Sequence, residues 1–295
     1  NIPYVSMGAN YPDVSWQKTT MKNIGLDFYL LSDRISGSFD FFRNDITRLL
    51  GYASTSPLAI YETRPINGGH YYRRGWELMV DTKNLVGEFT WDTSLTFSKT
   101  NSFWKERLPN YDYQIYQQRE NEPMSAYYYY NVTGIINTDR SNMPESQKTL
   151  QAEAQLPGCP IIEDKNKDGK IDENDVYMKD NSPAIYVGIG NTFTYKRFEF
   201  SFFMYGQFGI QKYNIAYSAA QAGPLAVDYP ENSNKFAYRL WNSQTNPNGS
   251  RPGLAIGKMG ALPGNAWVNA DRENASFMRM RNITLAYNLA GNILG

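Results

Sequence analysis

At 295 residues the chain is long enough for two ordinary domains or one large all-β one, and its 29 basic and 29 acidic residues cancel to zero net charge. That balance excludes the basic field of a nucleic-acid binder and the acidic run of a solvating tail. A single cysteine, Cys159, excludes an intrachain disulfide, and no stretch approaches the roughly twenty apolar residues of a membrane helix.

The first strand runs from about Thr19 to Leu31, with Ile24, Leu26, Phe28 and Leu30 on one face and Asn23, Gly25, Asp27 and Tyr29 on the other. Ser32-Asp33 turns it. The return strand from Arg34 carries Ile35, Phe39 and Phe41 on the apolar face and Ser36, Ser38 and Asp40 opposite, with Gly37 surrendering packing on the apolar side. A segment of about twenty residues up to Arg73, rich in Ser, Thr, Pro and Gly, reads as loop. A third strand near Gly75 sets Trp76, Leu78 and Val80 against Glu77 and Asp81. After a turn at 84–87, the run Glu88 to Asn101 sets Phe89, Trp91, Leu95 and Phe97 against Glu88, Thr90, Asp92, Ser94 and Thr96.

A connection of about eighty residues follows, far above the ordinary loop length and of the kind that carries function. The next hairpin, Ile185 to Gly209, alternates most plainly. Its arms carry Val187, Ile189 and Phe193, then Phe198, Phe200, Phe202 and Met204, on one face, joined by Lys196-Arg197. Each arm is about ten residues, enough to cross a bilayer as a tilted strand. A second long connection, Ile210 to Ala275, leads to a last strand with Ile283, Leu285, Tyr287 and Leu289 against Asn282, Thr284 and Asn288.

All three tight links fall at one end of the implied sheet and all three long ones at the other, the asymmetry of an outer-membrane barrel. Low mean hydropathy does not oppose this, since only alternate residues of such a barrel meet lipid. The 23 tyrosines suit interfacial girdles or carbohydrate-binding surfaces. Lys22, Arg279 and Arg281 share parity with the apolar face, each at the long-loop end, where a charge avoids the roughly 2 to 4 kcal/mol cost of mid-bilayer. A soluble sandwich also alternates, but it does not require matched strands with every short turn on one side. Asn1-Ile2-Pro3 reads as mid-protein sequence, and the odd count of seven strands implies an incomplete barrel, with strands missing before Asn1 and after Gly295. The expectation is thus an all-β chain, residues 1–295 forming one portion of a transmembrane antiparallel β-barrel with long extracellular loops.

The residues also carry a family likeness. Asn10, then Pro12 to Thr20 leading into Asn23-Ile24-Gly25-Leu26-Asp27-Phe28, resembles the Asn-Pro-Asp-Leu-x-Trp-Glu block of the SusC/RagA family of TonB-linked outer-membrane transporters. Gly37 to Arg43 with Leu49-Leu50, Arg74 to Leu78, Gly134-Ile135-Ile136, Pro157-Gly158, Asp164 to Asp175, Gly188 to Tyr195 and Met280 to Leu289 are similar to later blocks in the same order. Tyr11 splitting the Asn-Pro pair, Gln17 in place of Glu, and Cys159 after Pro157-Gly158 are small departures.

The resemblance implies the C-terminal part of a roughly 22-stranded, plugged barrel in the cell outer membrane. It further implies import of an oligosaccharide or peptide under a SusD-like surface lipoprotein. TonB-ExbB-ExbD would act through an N-terminal plug and TonB box that this chain does not include. Bond-making chemistry is not expected. Two alternatives stand beside import: a SusC-like scaffold in a secretion or assembly complex, and a secreted carbohydrate-binding or hydrolytic β protein.

Asp164, Asn166, Asp168, Gly169, Lys170, Asp172 and Asp175 match an EF-hand-type loop, with side-chain oxygens at positions one, three, five, nine and twelve and a Lys170 carbonyl at seven. Hard oxygens at this spacing suit Ca²⁺. Asp rather than Glu at the last position, and three lysines, imply weak affinity of about 10⁻⁴ to 10⁻³ M. An acidic turn folded by Asx-type hydrogen bonds is the other reading. Tyr127, Tyr128, Tyr129 and Tyr130, with Trp104, Trp241 and Trp267, are candidate sugar-stacking or partner-facing residues, or simply loop packing. His70 is the only histidine, with no nucleophile elbow to serve it. Glu120 and Glu122 are spaced like solvated loop residues, and the sequons at Asn131, Asn248, Asn274 and Asn282 matter only in a eukaryotic secretory setting.

Overall fold

The computed structural model describes residues 11–54, 63–109, 113–118, 121–214, 238–253, 262–270 and 272–289. Asn10, Glu120 and both chain ends, Asn1 to Pro3 and Gly295, lie outside the described residues. In chain order the strands are β1 (Lys18–Leu30), β2 (Ile35–Ser54), β3 (Thr63–Leu85), β4 (Phe89–Glu106), β5 (Ala126–Tyr130), β6 (Val132–Ile135), β7 (Pro160–Ile162), β8 (Tyr177–Asp180), β9 (Ile185–Tyr195), β10 (Phe198–Phe208), β11 (Gln211–Tyr213), β12 (Trp267–Val268), β13 (Arg272–Asn274) and β14 (Phe277–Tyr287).

Seven of them form one sheet in the order β1-β2-β3-β4-β9-β10-β14, every neighbour antiparallel. The period-two alternation sets the two faces. Ile24, Phe41, Trp76, Val187 and Phe200 share one, and Asp40, Glu77, Ser94 and Ser201 the other. Among the described residues no layer covers the apolar face: Ile24 is 77 % exposed and Leu285 73 %. For a protein in water this would be a large exposed apolar patch, whereas in a bilayer it is the expected outer wall. The principal buried cluster, including Tyr130, Ile136, Ile162 and Val176, lies in the connections rather than in the sheet.

Where the apolar face carries polar atoms, they satisfy one another. Thr82, Thr93 and Asn191 stand side by side in the register. The Asn191 carbonyl accepts from Trp91 Nε1 and Thr93 Oγ1, each at 2.8 Å, while Asn84 Nδ2 donates to Thr93 Oγ1 at 2.7 Å. An unpaired amide facing lipid costs several kcal/mol, about the scale this network removes. At the tight-turn end, Phe89 and Trp91 each contact Phe193, which contacts Phe200, and Phe198 contacts Tyr287, the form of an interfacial aromatic girdle.

Two sequence expectations change. The described residues of the stretch up to Arg73 are strand: β2 continues to Ser54 and β3 begins at Thr63. Gly68 and Gly51 serve close approach, since a Cβ on Gly68 would stand 2.5 Å from the Pro109 ring and one on Gly51 3.0 Å from Leu108. Arg279 does not share the apolar face. A β-bulge between Phe203 and Met204 shifts the register so that Arg279 pairs with Tyr205 on the polar face, its guanidinium 4.6 Å from the Tyr205 ring.

Candidate functional site

The connection after β4 folds into a unit of its own at the long-loop end. Backbone bonds from Trp104 to the Glu122 carbonyl and from Met124 to the Ser102 carbonyl, both 2.8 Å, seat it on the end of β4. The β5 strand then pairs antiparallel with β8 and parallel with β12, so the 105–184 and 262–275 connections meet in one small sheet. Gln147, fully buried, ties the interior by donating to the Ala154 and Pro160 carbonyls and accepting from the Ile162 amide. Tyr130, on the same core, donates to the carbonyls of Asp172 and Pro263 at 3.0 Å each. Burial first, then the charge of Asp175, raises its phenol above the ordinary tyrosine range.

That bond anchors the acidic loop. Asp164 accepts from the amides of Asp168 and Gly169, Asn166 Oδ1 from Asp168, and Asp168 from Lys170. Asp175, fully buried, accepts from the amides of Lys165, Asn166 and Asp172. Gly169, at φ +87°, makes the turn that an L side chain would resist. Lys170 Nζ lies 2.9 Å from Asp172 and 3.9 Å from Asp168. The Lys170 hydrogen bond, with the Asn174 amide, holds the Asp172 carboxyl below its usual range. Asx turns thus close the loop, with an ammonium placed where two of the expected ligands meet. Asp175 Oδ1 already accepts two of these amides, and the oxygens of Asp164, Asp168 and Asp172 accept fewer. Among the described residues no three His, Cys, Asp or Glu side chains form a metal cluster.

The four tyrosines alternate across β5. Tyr127 stacks on Tyr129 at 5.2 Å and Tyr129 on Tyr177 at 5.7 Å, while Arg272 covers Tyr127 at 3.4 Å from its ring centre. Tyr128 instead packs against Tyr116 and bonds to the buried Glu122, which Arg107 also holds. A cavity of about 440 Å³ opens beside them, lined in part by Tyr116, Gln117, Tyr127, Tyr213 and Arg272. Arg272 Nη2 donates to Asn181 Oδ1 and the Gln211 carbonyl, and its buried Nε has no partner among the described residues. Trp104 and Trp241 do not line this cavity. Trp104 lies on β4 under the Arg107 guanidinium, Trp241 lines a separate cavity with Asn248 and Arg251, and Trp267 joins β5 through backbone pairing with Tyr129. Tyr116, Gln117, Tyr213 and Arg272 went unmarked in the sequence, because nothing in their spacing connects segments so far apart in the chain. Glu122 is the reverse case: read as solvated, it is fully buried because Arg107 and Tyr128 follow it inward.

No family model matches the chain. Among curated proteins it is similar to TonB-dependent receptor P3 of Formosa agariphila, 24 % identical over 96 % of this chain and 28 % of the relative. It is also similar to the TonB-dependent receptor SusC of Bacteroides thetaiotaomicron, 26 % identical over 93 % of this chain and 26 % of the relative. The chain is SusC/RagA-like. Among solved structures, the RagAB peptide importer in its closed-closed state superposes with a TM-score of 0.68 at 17 % identity, covering 98 % of this chain and 31 % of the other. The RagAB peptide transporter gives a TM-score of 0.68 over 99 % of this chain. The SusC/RagA-like chain therefore has the strand arrangement of part of such a barrel and spans a quarter to a third of the length of these relatives. On that fold the exposed apolar face is the outside of the wall and the polar face looks into the barrel.

Proposed function

We propose that this chain supplies part of the wall and outer loops of a TonB-dependent outer-membrane transporter. The transporter imports an oligosaccharide or peptide with a SusD-like surface lipoprotein, by gated passage rather than bond-making. Likeness to TonB-dependent receptors over nearly the whole chain carries this reading. The cavity beside Tyr127 and Arg272 is the part of the loops that offers rings and a hydrogen-bond donor to cargo or lid. Residues 1–295 are read as the C-terminal portion of the barrel, with force from TonB-ExbB-ExbD arriving through the rest of the protein. The test is mass spectrometry of whatever co-purifies with the full-length protein in mild detergent, paired with uptake after deletion of its TonB box. A stoichiometric SusD-like lipoprotein and lost uptake support import. Secretion or assembly components with unchanged uptake overturn it in favour of a scaffold.

We further propose that the loop from Asp164 to Asp175 takes Ca²⁺ as a structural ion, weakly, since the cation must displace Lys170 from Asp172 and Asp168. Calorimetric titration of the full-length protein is expected to give a dissociation constant of about 10⁻⁴ to 10⁻³ M, lost in Asp164→Asn. An unchanged titration in that variant counts against the site.

A further inference from the structure

Three rows of side chains cross β1 to β4 on the outer wall at the long-loop end. Ile24, Phe41, Trp76 and Lys99 form the lowest, Lys22, Arg43, Arg74 and Asn101 the next, and Asp45, Tyr72 and Phe103 the third. Below them on β4 the apolar parity runs from Phe89 to Phe97, about 26 Å along a strand at roughly 3.3 Å per residue. Lys99 is the next residue of that parity, so the rows stand where a tilted strand leaves the hydrocarbon and enters the headgroups. A hollow of about 390 Å³ opens there, lined by Phe41, Arg74, Trp76, Lys99, Asn101 and Phe103, with the Asp180 carboxylate at its side.

The charges around the hollow are unequal in their commitments. Arg43 is held by Asp45 through two bonds of 3.0 and 3.1 Å, and His70 lies 3.3 Å from the same carboxylate. Asp180 is satisfied by Asn101, Ser125 and the Ser182 amide. Burial pushes its carboxyl up, and these bonds outweigh that and leave it below the usual range. Arg74 and Lys99 are exposed and form no ion pair among the described residues; the Arg74 guanidinium lies 5.1 Å from the Phe103 ring centre and 5.9 Å from that of Tyr72. Two uncommitted cations beside aromatic rings, directly above an apolar wall, match one kind of partner: an acidic group carried on an apolar chain.

We propose that this hollow binds the phosphate of an anionic lipid headgroup in the leaflet at the long-loop side, with Arg74 as the two-point donor, Lys99 as the second charge, and Phe41 and Trp76 against the first acyl segments. Arginine's fork matches phosphate oxygens, and its stacking on Phe103 fixes the plane from which it donates. A soluble phosphate would use the cations but gain nothing from Phe41 and Trp76, so the lipid is the source that uses the whole surface. Such a site presupposes the membrane placement proposed above.

The test uses full-length protein in nanodiscs of a neutral lipid doped with a phosphorylated lipid A-type glycolipid or with its dephosphorylated form, and reads retained lipid by native mass spectrometry. Wild type is expected to retain the phosphorylated form selectively. Arg74→Gln with Lys99→Gln is expected to lower retention by about tenfold or more, the loss that charge-assisted hydrogen bonds imply. Lys167→Gln, in the acidic loop, should leave it unchanged, and unheated gel electrophoresis shows whether each variant is folded. Equal retention of the two glycolipids by wild type, which needs no variant, overturns the proposal, as does undiminished retention in the folded double variant. Equal competition by inorganic phosphate overturns the lipid assignment. Extraction of the protein from cells without detergent would instead remove the membrane reading itself, and the site with it.

Discussion

Cys159 sits in the core of the loop unit at 0 % exposure, its Sγ donating to the Glu153 carbonyl at 3.3 Å. Burial pushes the thiol up to about 11. Since the thiolate is the reacting form, maleimide at pH 8 should modify the folded protein on the order of 100-fold more slowly than the denatured chain, as intact-mass measurements can show. Glu122 makes a sharper demand. With its carboxylate fully buried and shared by Arg107 and Tyr128, removal in Glu122→Ala leaves a guanidinium without its counter-charge, bonded to Tyr128 and with no partner for Nε among the described residues. Breaking a buried pair this way costs about 3 to 5 kcal/mol. The loss should appear as protease nicking within residues 105–184 while the barrel stays intact on unheated gels, with Glu122→Gln milder because it still accepts from Tyr128.

At the level of the strands, the polar network on the apolar face shows why lipid-facing alternation tolerates exceptions. Asn191 alone would be a misplaced amide; beside Thr93 and Trp91 it is an acceptor for two donors. Asn191→Ala orphans both and should cost about 1 to 3 kcal/mol, read as a lower temperature for loss of the folded band on gels. An unchanged temperature would mean that lipid headgroups or water replace the amide. This pairing across distant segments marks the limit of what the sequence disclosed. The seven-strand sheet was legible because each strand declares its faces within a few residues, as Phe198 to Gln207 does. The continuation of β2 and β3 was hidden, since glycine reads as a turn until Leu108 and Pro109 are seen lying against Gly51 and Gly68. The Arg279 face was hidden by one bulged residue. The cavity beside Tyr127 was half legible: its tyrosines stand in a row, whereas Arg272 reaches them from another connection.

For the whole molecule, the decisive property is which end faces outward. The three short turns lie together, and the opposite end carries a loop unit with a packed core, polar exterior and two cavities. A core of that kind folds in water, and a headgroup region offers too little room for it, so the loop unit stands clear of the bilayer; the import reading proposed above puts it on the outer side. With Cys159 buried in the core of the loop unit, single new cysteines at exposed positions are informative against it. Thr138→Cys places a thiol on the exposed surface of the loop unit, and Arg197→Cys places one in the β9–β10 turn. With a membrane-impermeant maleimide on intact cells producing the full-length protein, Thr138→Cys should label at once and Arg197→Cys only after the outer membrane is permeabilised. Labelling of Arg197→Cys alone would invert the barrel and move the lipid hollow to the inner leaflet. Equal labelling of both would mean that the apolar wall does not separate two compartments, and the transport reading would fall with it.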